Sequence, residues 1–261
     1  MFILGKLFGI FDGHGGPGCS QVVAKRLFSY IAASLLPPKV LAELVNTHPH
    51  VESSTLLKSY NDRFDLVEDL QHLYSENLHA FMKTTSLEKN SAEPFSMSTV
   101  LENSFVALDN DLSREAKLNK LSREEFYGET YTVDENLCVK TLSVALSGAV
   151  ACVAYVDEEH LHVANCGDCR AVLGSWDPET ETWIAEPITT DHTTENVSEV
   201  NRIFQEHPSS ERDNVIRNDR LLGFLFSHTL ANAYFIIIVI SLISIQTYAF
   251  FRATGTRQSF W

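Results

Sequence analysis

The stretch "LFGIFDGHGGPGCSQ", residues 7–21, decides how the rest of the chain is read. Apolar residues run straight into Asp12 and His14, and side chains are then given up at Gly13, Gly15, Gly16 and Gly18. The apolar run over residues 3–11 predicts a strand buried on both faces, with Asp12 at its tip. A carboxylate placed there offers the hard oxygen that Mg2+ or Mn2+ prefers. A glycine carbonyl can approach the same ion, because no Cβ stands in the way. His14 carries the side chain best suited to passing a proton near neutral pH. An ordinary glycine turn with an acid is the competing reading of the same residues.

Working outward, "SQVVAKRLFSYIAASLL" (20–36) has helical spacing and ends at Pro37-Pro38. The stretches "VEDLQHLYSENLHAFMKTT" (67–85) and "SMSTVLENSFVALDNDLSREAKL" (96–118) predict two amphipathic helices, with "SLEKNSAEP" as the loop between them. Residues 118–140 are polar and mixed, and predict a surface insertion with little regular structure. Strand character returns in "TLSVALSGAVACVAYVD" (141–157). A turn at Asp157–His160 follows, then "LHVANCGDCRAVLG" (161–174), with Gly167-Asp168 as a tight turn. "ETWIAEPITT" (181–190) reads as another strand, and "DHTTENVSEVNRIFQEH" (191–207) as a loop feeding a helix. One strand, then helices, then antiparallel strands make an α+β protein.

Composition narrows the function. Of 261 residues 44% are hydrophobic, enough for a real core, and the net charge of −14 argues against nonspecific nucleic-acid binding. Five cysteines suit a reducing compartment better than a disulfide framework. The opening "MFILGKLFGIF" reads as a strand rather than a signal or transit peptide, so the fold is expected to begin at residue 1. Residues 221–251 carry no Asp, Glu, Lys or Arg, and are long enough to cross a bilayer. A buried strand or helix pair, or an aberrant C-terminus, competes with that membrane reading.

Four phrases in order, DGHGG, "SGAVA", "NCGDCRA" and "TTDH", resemble the metal-dependent serine/threonine protein phosphatases of the PPM or type 2C family. "CSQVVAKRLFSYIAASLLP" and "EHPSSERDNVIRNDRLLGFL" are similar to its mitochondrial pyruvate dehydrogenase phosphatase branch. The resemblance implies a PPM-type αββα sandwich over residues 1–225, partial at both ends, with 226–261 as a separate apolar tail. It further implies a two-metal centre of Mg2+ or Mn2+ in which Asp12 bridges the ions, Gly13 lends a carbonyl and Asp168 serves an additional, weaker site. By the same resemblance His14 is the general acid, and Asp191-His192 is a mainly structural pair. The implied substrate is a phosphoserine or phosphothreonine protein, the E1 component of pyruvate dehydrogenase, in the mitochondrial matrix.

The sequence departs from the family pattern. Eleven residues precede Asp12 and none is acidic, and the family's two later aspartates do not follow "DRLLGFL". The metal centre is therefore expected to be incomplete and to hold Mg2+ weakly. A catalytically defective, membrane-tethered form that at most binds a partner is the alternative. Val150 and Cys169 replace hydroxyl residues, at the cost of a hydrogen bond each. A rival metal reading joins Cys166 and Cys169 to His160 and His162 around zinc, although half-buried thiols in a hairpin explain the cysteines more simply. Cys19 at a helix start is expected to be packed, and His72 and His79 to lie on a surface or groove. Asp157, Glu158 and Glu159 belong to a solvated turn, and Trp176 and Trp183 to a lid over the sheet.

Overall fold

The computed structural model describes residues 5–48, 56–57, 70–88, 96–117, 135–210, 212–217, 220–221, 236–241 and 247–252. The chain divides into two compact units, residues 1–3 with 13–149, and residues 4–12 with 150–261.

The first unit is helical: α1 (Gly18–Leu35), α2 (Pro38–Thr47), α3 (Gln71–Glu88), α4 (Met97–Lys117) and α5 (Glu135–Ala145). α1 packs against α3, α4 and α5, α2 against α3, and α4 against α5. Val22, Val23, Leu27, Tyr30 and Ile31 of α1 are fully buried, as are Leu101, Phe105 and Leu108 of α4. Within this apolar packing lies an ion pair. Arg26, 4% exposed, donates to both carboxylate oxygens of Glu115 at 2.9 and 2.8 Å, and Asn77 donates to Glu115 at 2.6 Å. The Arg26 guanidinium also lies 3.9 Å over the Tyr74 ring, and the Tyr30 hydroxyl donates to Asp111. Burial opposes the charge on Arg26, but Glu115 outweighs it and keeps the guanidinium charged.

Two helices were not expected. Pro37-Pro38 does stop α1, yet Pro38 then opens α2, because a ring at the first helical position costs no hydrogen bond. Residues 141–145, expected as strand, form the end of α5, whose start falls in the segment expected to be irregular. Thr141 and Val144, one helical step apart, are its buried positions, and the helix ends as the Ser147 N–H turns back to the Val144 carbonyl at 3.2 Å.

The second unit holds the sheets. The strands are β1 (Lys6–His14), β2 (Gly148–Val156), β3 (His160–Cys166), β4 (Arg170–Asp177), β5 (Thr182–Pro187), β6 (Ile216–Arg217), β7 (Arg220–Leu221), β8 (Ile236–Ser241) and β9 (Thr247–Arg252). One sheet has the order β1-β2-β3-β8, another β5-β4-β9, and β6 pairs with β7. β2 and β3 are antiparallel, with Ala151 opposite Cys166 and Val156 opposite Leu161. Helix α6 (Val197–Glu206) follows β5, capped by the Asn196 side chain, which accepts from Ser198 N–H. The one-turn helix α7 (Arg212–Val215) precedes β6. Val150, Cys152, Ala154, Leu161 and Val163 of the first sheet pack with Cys169 of the β3–β4 turn, Ala171 and Leu173 of β4, and Ile188 as one core. Helices together with antiparallel sheets make the α+β class expected from the sequence.

β1 differs from its expected burial. It ends the order of its sheet among the described residues, and Phe8 is 49% exposed. An apolar run says that a strand is favoured, not which of its faces will be covered. β2 and β3 are instead buried on both faces, Tyr155 of β2 included. Trp176 and Trp183 meet edge-on across the β4–β5 pair, 5.7 Å apart, and stay 38% and 50% exposed rather than lying as a lid. In the C-terminal apolar region β8 pairs with β3 and β9 with β4. No helix among the described residues is long and apolar enough to cross a membrane. The β-branched run "IIIVIS" is the physical reason for strand there. The proposed boundary at 225/226 lies outside the described residues.

Candidate metal centre

The boundary between the two units falls between Asp12 and Gly13. On the helical side the glycine motif is explained position by position. A Cβ on Gly13 would stand 2.5 Å from the Ser20 hydroxyl, and Gly15 and Gly16 have φ of 71° and 137°, which side chains rarely adopt. Pro17 supplies no side-chain cap to α1. The cap comes from far along the chain, since the Cys19 N–H donates to the Ser147 hydroxyl at 2.9 Å. Gly148, the next residue, leaves room for the His14 imidazole, whose Cδ2 would lie 3.1 Å from an added Cβ and whose Nε2 would overlap it. The "SG" phrase thus serves α1 with its serine and His14 with its glycine. Burial, and then the charge of Asp109, push the Cys19 thiol up to about 12. It is a packed thiol, as expected.

On the sheet side, Asp12 closes its part of β1 and Asp168 sits in the β3–β4 turn; both are half-buried. They share a neighbour. The buried Cys169 thiol is pushed up to about 12, by burial first and then by the charges of Asp12 and Asp168, while a hydrogen bond from the Asp12 backbone works the other way. Residues far apart in the sequence, Asp12 and Asp168, thus both act on the Cys169 thiol.

The turn that carries Asp168 is clamped. Gly167 has φ of 101°, and its N–H donates to His192 Nδ1 at 3.2 Å. Its carbonyl accepts from the His192 N–H at 3.0 Å and from Asn165 Nδ2 at 3.1 Å. Arg170 grips Asp191 with two bonds of 3.0 and 2.5 Å, and Ala171 N–H donates to Thr189 Oγ1 at 2.9 Å. Asn196, the cap of α6, donates to the Asp191 carbonyl at 3.2 Å. Burial lowers the His192 pKa, with Arg202 adding and Glu199 opposing. The ring is thus kept neutral, so that Nδ1 can accept. Both side chains of the "DH" phrase are engaged in holding the turn, a role the spacing alone could not assign.

The donor set fits a hard cation. Asp12 and Asp168 are water-accessible carboxylates, and the thiol beside them stays protonated, so no soft ligand competes. Among the described residues neither Asp12 nor Asp168 belongs to a group of three acids, imidazoles or thiols at ligand range. The three-residue group whose ligand atoms lie within 4.8 Å of one another is instead Asp157, His160 and His162. The Cys-His zinc reading is not what the geometry brings together. His160 and Cys166 stand at opposite ends of β3, about 20 Å apart at roughly 3.3 Å per residue. Cys152, like Cys169, is buried and pushed up to about 12, by burial first. His72 is exposed and pairs with Glu76 at 3.5 Å, and His79 is half-buried on the same helix, α3.

The sequence profile of the family described as protein phosphatase 2C matches residues 68–229. The chain belongs to the protein phosphatase 2C family. It is 40% identical over 231 residues to human mitochondrial pyruvate dehydrogenase phosphatase 1, covering 85% of this chain and 39% of that protein. Against human mitochondrial pyruvate dehydrogenase phosphatase 2 the identity is 38% over 225 residues, with 85% and 40% covered. The chain thus spans about two fifths of the length of the curated relatives it matches. A serine-threonine phosphatase 2C from Toxoplasma gondii superimposes with a TM-score of 0.46 at 13% identity, covering 91% of this chain and 64% of that one.

Proposed function

We propose that the chain is a metal-dependent protein serine/threonine phosphatase acting on a mitochondrial phosphoprotein, the E1 component of pyruvate dehydrogenase. The observation that carries the reading is the order of the four family phrases along the chain, and the action of the Asp12 and Asp168 charges on the one Cys169 thiol supports it. Asp12 and the Gly13 carbonyl would hold Mg2+ or Mn2+, and Asp168 an additional ion. Divalent cations would supply Lewis acidity, lowering the pKa of water and offsetting phosphate charge. His14, exposed and seated against Gly148, would pass a proton to the departing serine or threonine oxygen. The clamp of Arg170 on Asp191 and of His192 on Gly167 keeps Asp168 in place before any ion arrives. The printed names of the relatives support both the substrate and the mitochondrial setting.

Purified protein is assayed with Mn2+ and a phosphoserine peptide drawn from E1. Release of phosphate that disappears in Asp12→Ala is expected. No release at any Mn2+ concentration, from protein shown to be folded, rejects the catalytic reading and leaves the partner-binding alternative.

A further inference from the structure

β2 ends at Val156 and β3 begins at His160, and the turn between them is locked by Asp157. One Asp157 carboxylate oxygen accepts from the N–H groups of Glu159 and His160, at 2.9 and 2.7 Å, while its own N–H donates to the His160 carbonyl at 3.1 Å. His160 and His162 alternate along β3 and so share a face, their rings 5.8 Å apart. His160 Nδ1 stands 3.7 Å from Asp157 Oδ1. His162 is 8% exposed, and its Nδ1 has no hydrogen-bond partner. A buried imidazole nitrogen left unpaired is costly, and a ligand at the cluster would remove that cost. All three residues belong to the second unit.

We propose that Asp157, His160 and His162 form a binding site for a borderline divalent transition metal, Zn2+ foremost. Two imidazoles and one carboxylate are the donor types such ions take, whereas Mg2+ and Mn2+ prefer oxygen alone. Tetrahedral zinc with bonds of about 2.0–2.2 Å places its ligand atoms roughly 3.3–3.6 Å apart. The three ligand atoms, within 4.8 Å of one another, reach that spacing by closing about 1 Å, within the range of small side-chain rotations. Three protein ligands leave the fourth position to water. The ligands are in the right charge state as well: burial, against the charge of Asp157 and with help from His160, holds His162 towards the neutral form. For Asp157 burial works against the carboxylate, and the two backbone N–H bonds outweigh it. The site is independent of the phosphatase reading and shares no residue with it.

Chelator-stripped protein is titrated with Zn2+ by calorimetry, with Co2+ absorption as a second probe. One equivalent is expected to bind, at least tenfold more weakly in His160→Ala and in Asp157→Asn, and with unchanged affinity in Asp12→Asn. Zinc is also expected to raise the melting temperature of the parent and not of His160→Ala. The His160 side chain is 39% exposed, so its loss leaves the fold intact, which circular dichroism checks. If Asp157→Asn loosens the turn, His160→Gln decides instead. An absence of uptake, or uptake untouched by the His160 variants, overturns the proposal. Uptake lost in Asp12→Asn alone overturns it too, by moving the ion to the phosphatase site.

Discussion

Gly167→Ala is the substitution whose consequence the geometry defines most sharply. Two costs add. An alanine at φ of 101° sits in sparsely populated backbone, worth about 1–3 kcal/mol. Its Cβ would also overlap Val150 Cγ1 and lie 2.5 Å from Val150 Cβ, where carbon atoms ordinarily keep about 3.5–4.0 Å. Val150 cannot easily retreat, being 9% exposed and packed in the core with Cys152, Cys169 and Ala171. Overpacking of that kind costs about 1–3 kcal/mol. Together the two predict roughly 2–6 kcal/mol lost, read as a lower midpoint in urea denaturation. A double-mutant cycle separates them. In a Val150→Gly background both overlapping atoms are gone and only the backbone cost is left. The coupling between the two sites should therefore equal the steric part, about 1–3 kcal/mol. A coupling below about 0.5 kcal/mol would show that Val150 does not confine the turn. A cost for Gly167→Ala itself below that figure would refute the whole account of how Asp168 is held.

Four other outcomes follow from particular contacts. Glu115→Ala leaves Arg26 buried without its carboxylate and should cost about 3–5 kcal/mol by denaturant melting. Ser147→Ala removes the distant cap on Cys19 N–H and should cost about 1 kcal/mol. Asp109 is 2% exposed with an unpartnered oxygen, and burial pushes its carboxyl up to about 6. The folded state therefore binds the extra proton, and stability should fall as pH rises from about 4 to above 6, by roughly 3 kcal/mol from this group. Asp109→Asn should flatten that part of the stability–pH curve, as unfolding midpoints at about pH 3 and about pH 7, each roughly one unit outside the window, would reveal. His192→Phe removes the acceptor for Gly167 N–H at similar bulk, and should cost about 1–3 kcal/mol while weakening Mn2+ dependence through Asp168.

Much of the fold was legible because local physics is written in local sequence. α1, α3 and α4 carry helical apolar spacing, β2 carries a continuous apolar run, and β3 is bounded by turn signals at both ends. α5 was missed because Thr141 and Val144 are β-branched and look like strand, although helix packing uses them equally well. The apolar C-terminal region invited a membrane reading because hydropathy does not distinguish lipid from a neighbouring strand. The pairing of β8 with β3 and of β9 with β4 is a nonlocal fact.

The same division runs through the chemistry. The residue types in DGHGG suggest Asp12 as an oxygen ligand for a hard cation and His14 as a proton donor, because donor chemistry belongs to the side chain itself, and the family resemblance of NCGDCRA adds Asp168 as a proposed ligand. Only the tertiary structure decided that Ser147 caps α1, that Gly148 seats His14 and that His192 clamps Gly167. It also decided that Asp157, not a cysteine, joins the two histidines. Such pairings join residues as far apart in the chain as His14 and Gly148, and no local rule ranks them. They are fixed only once strand register and helix packing have set which atoms lie within reach of a hydrogen bond.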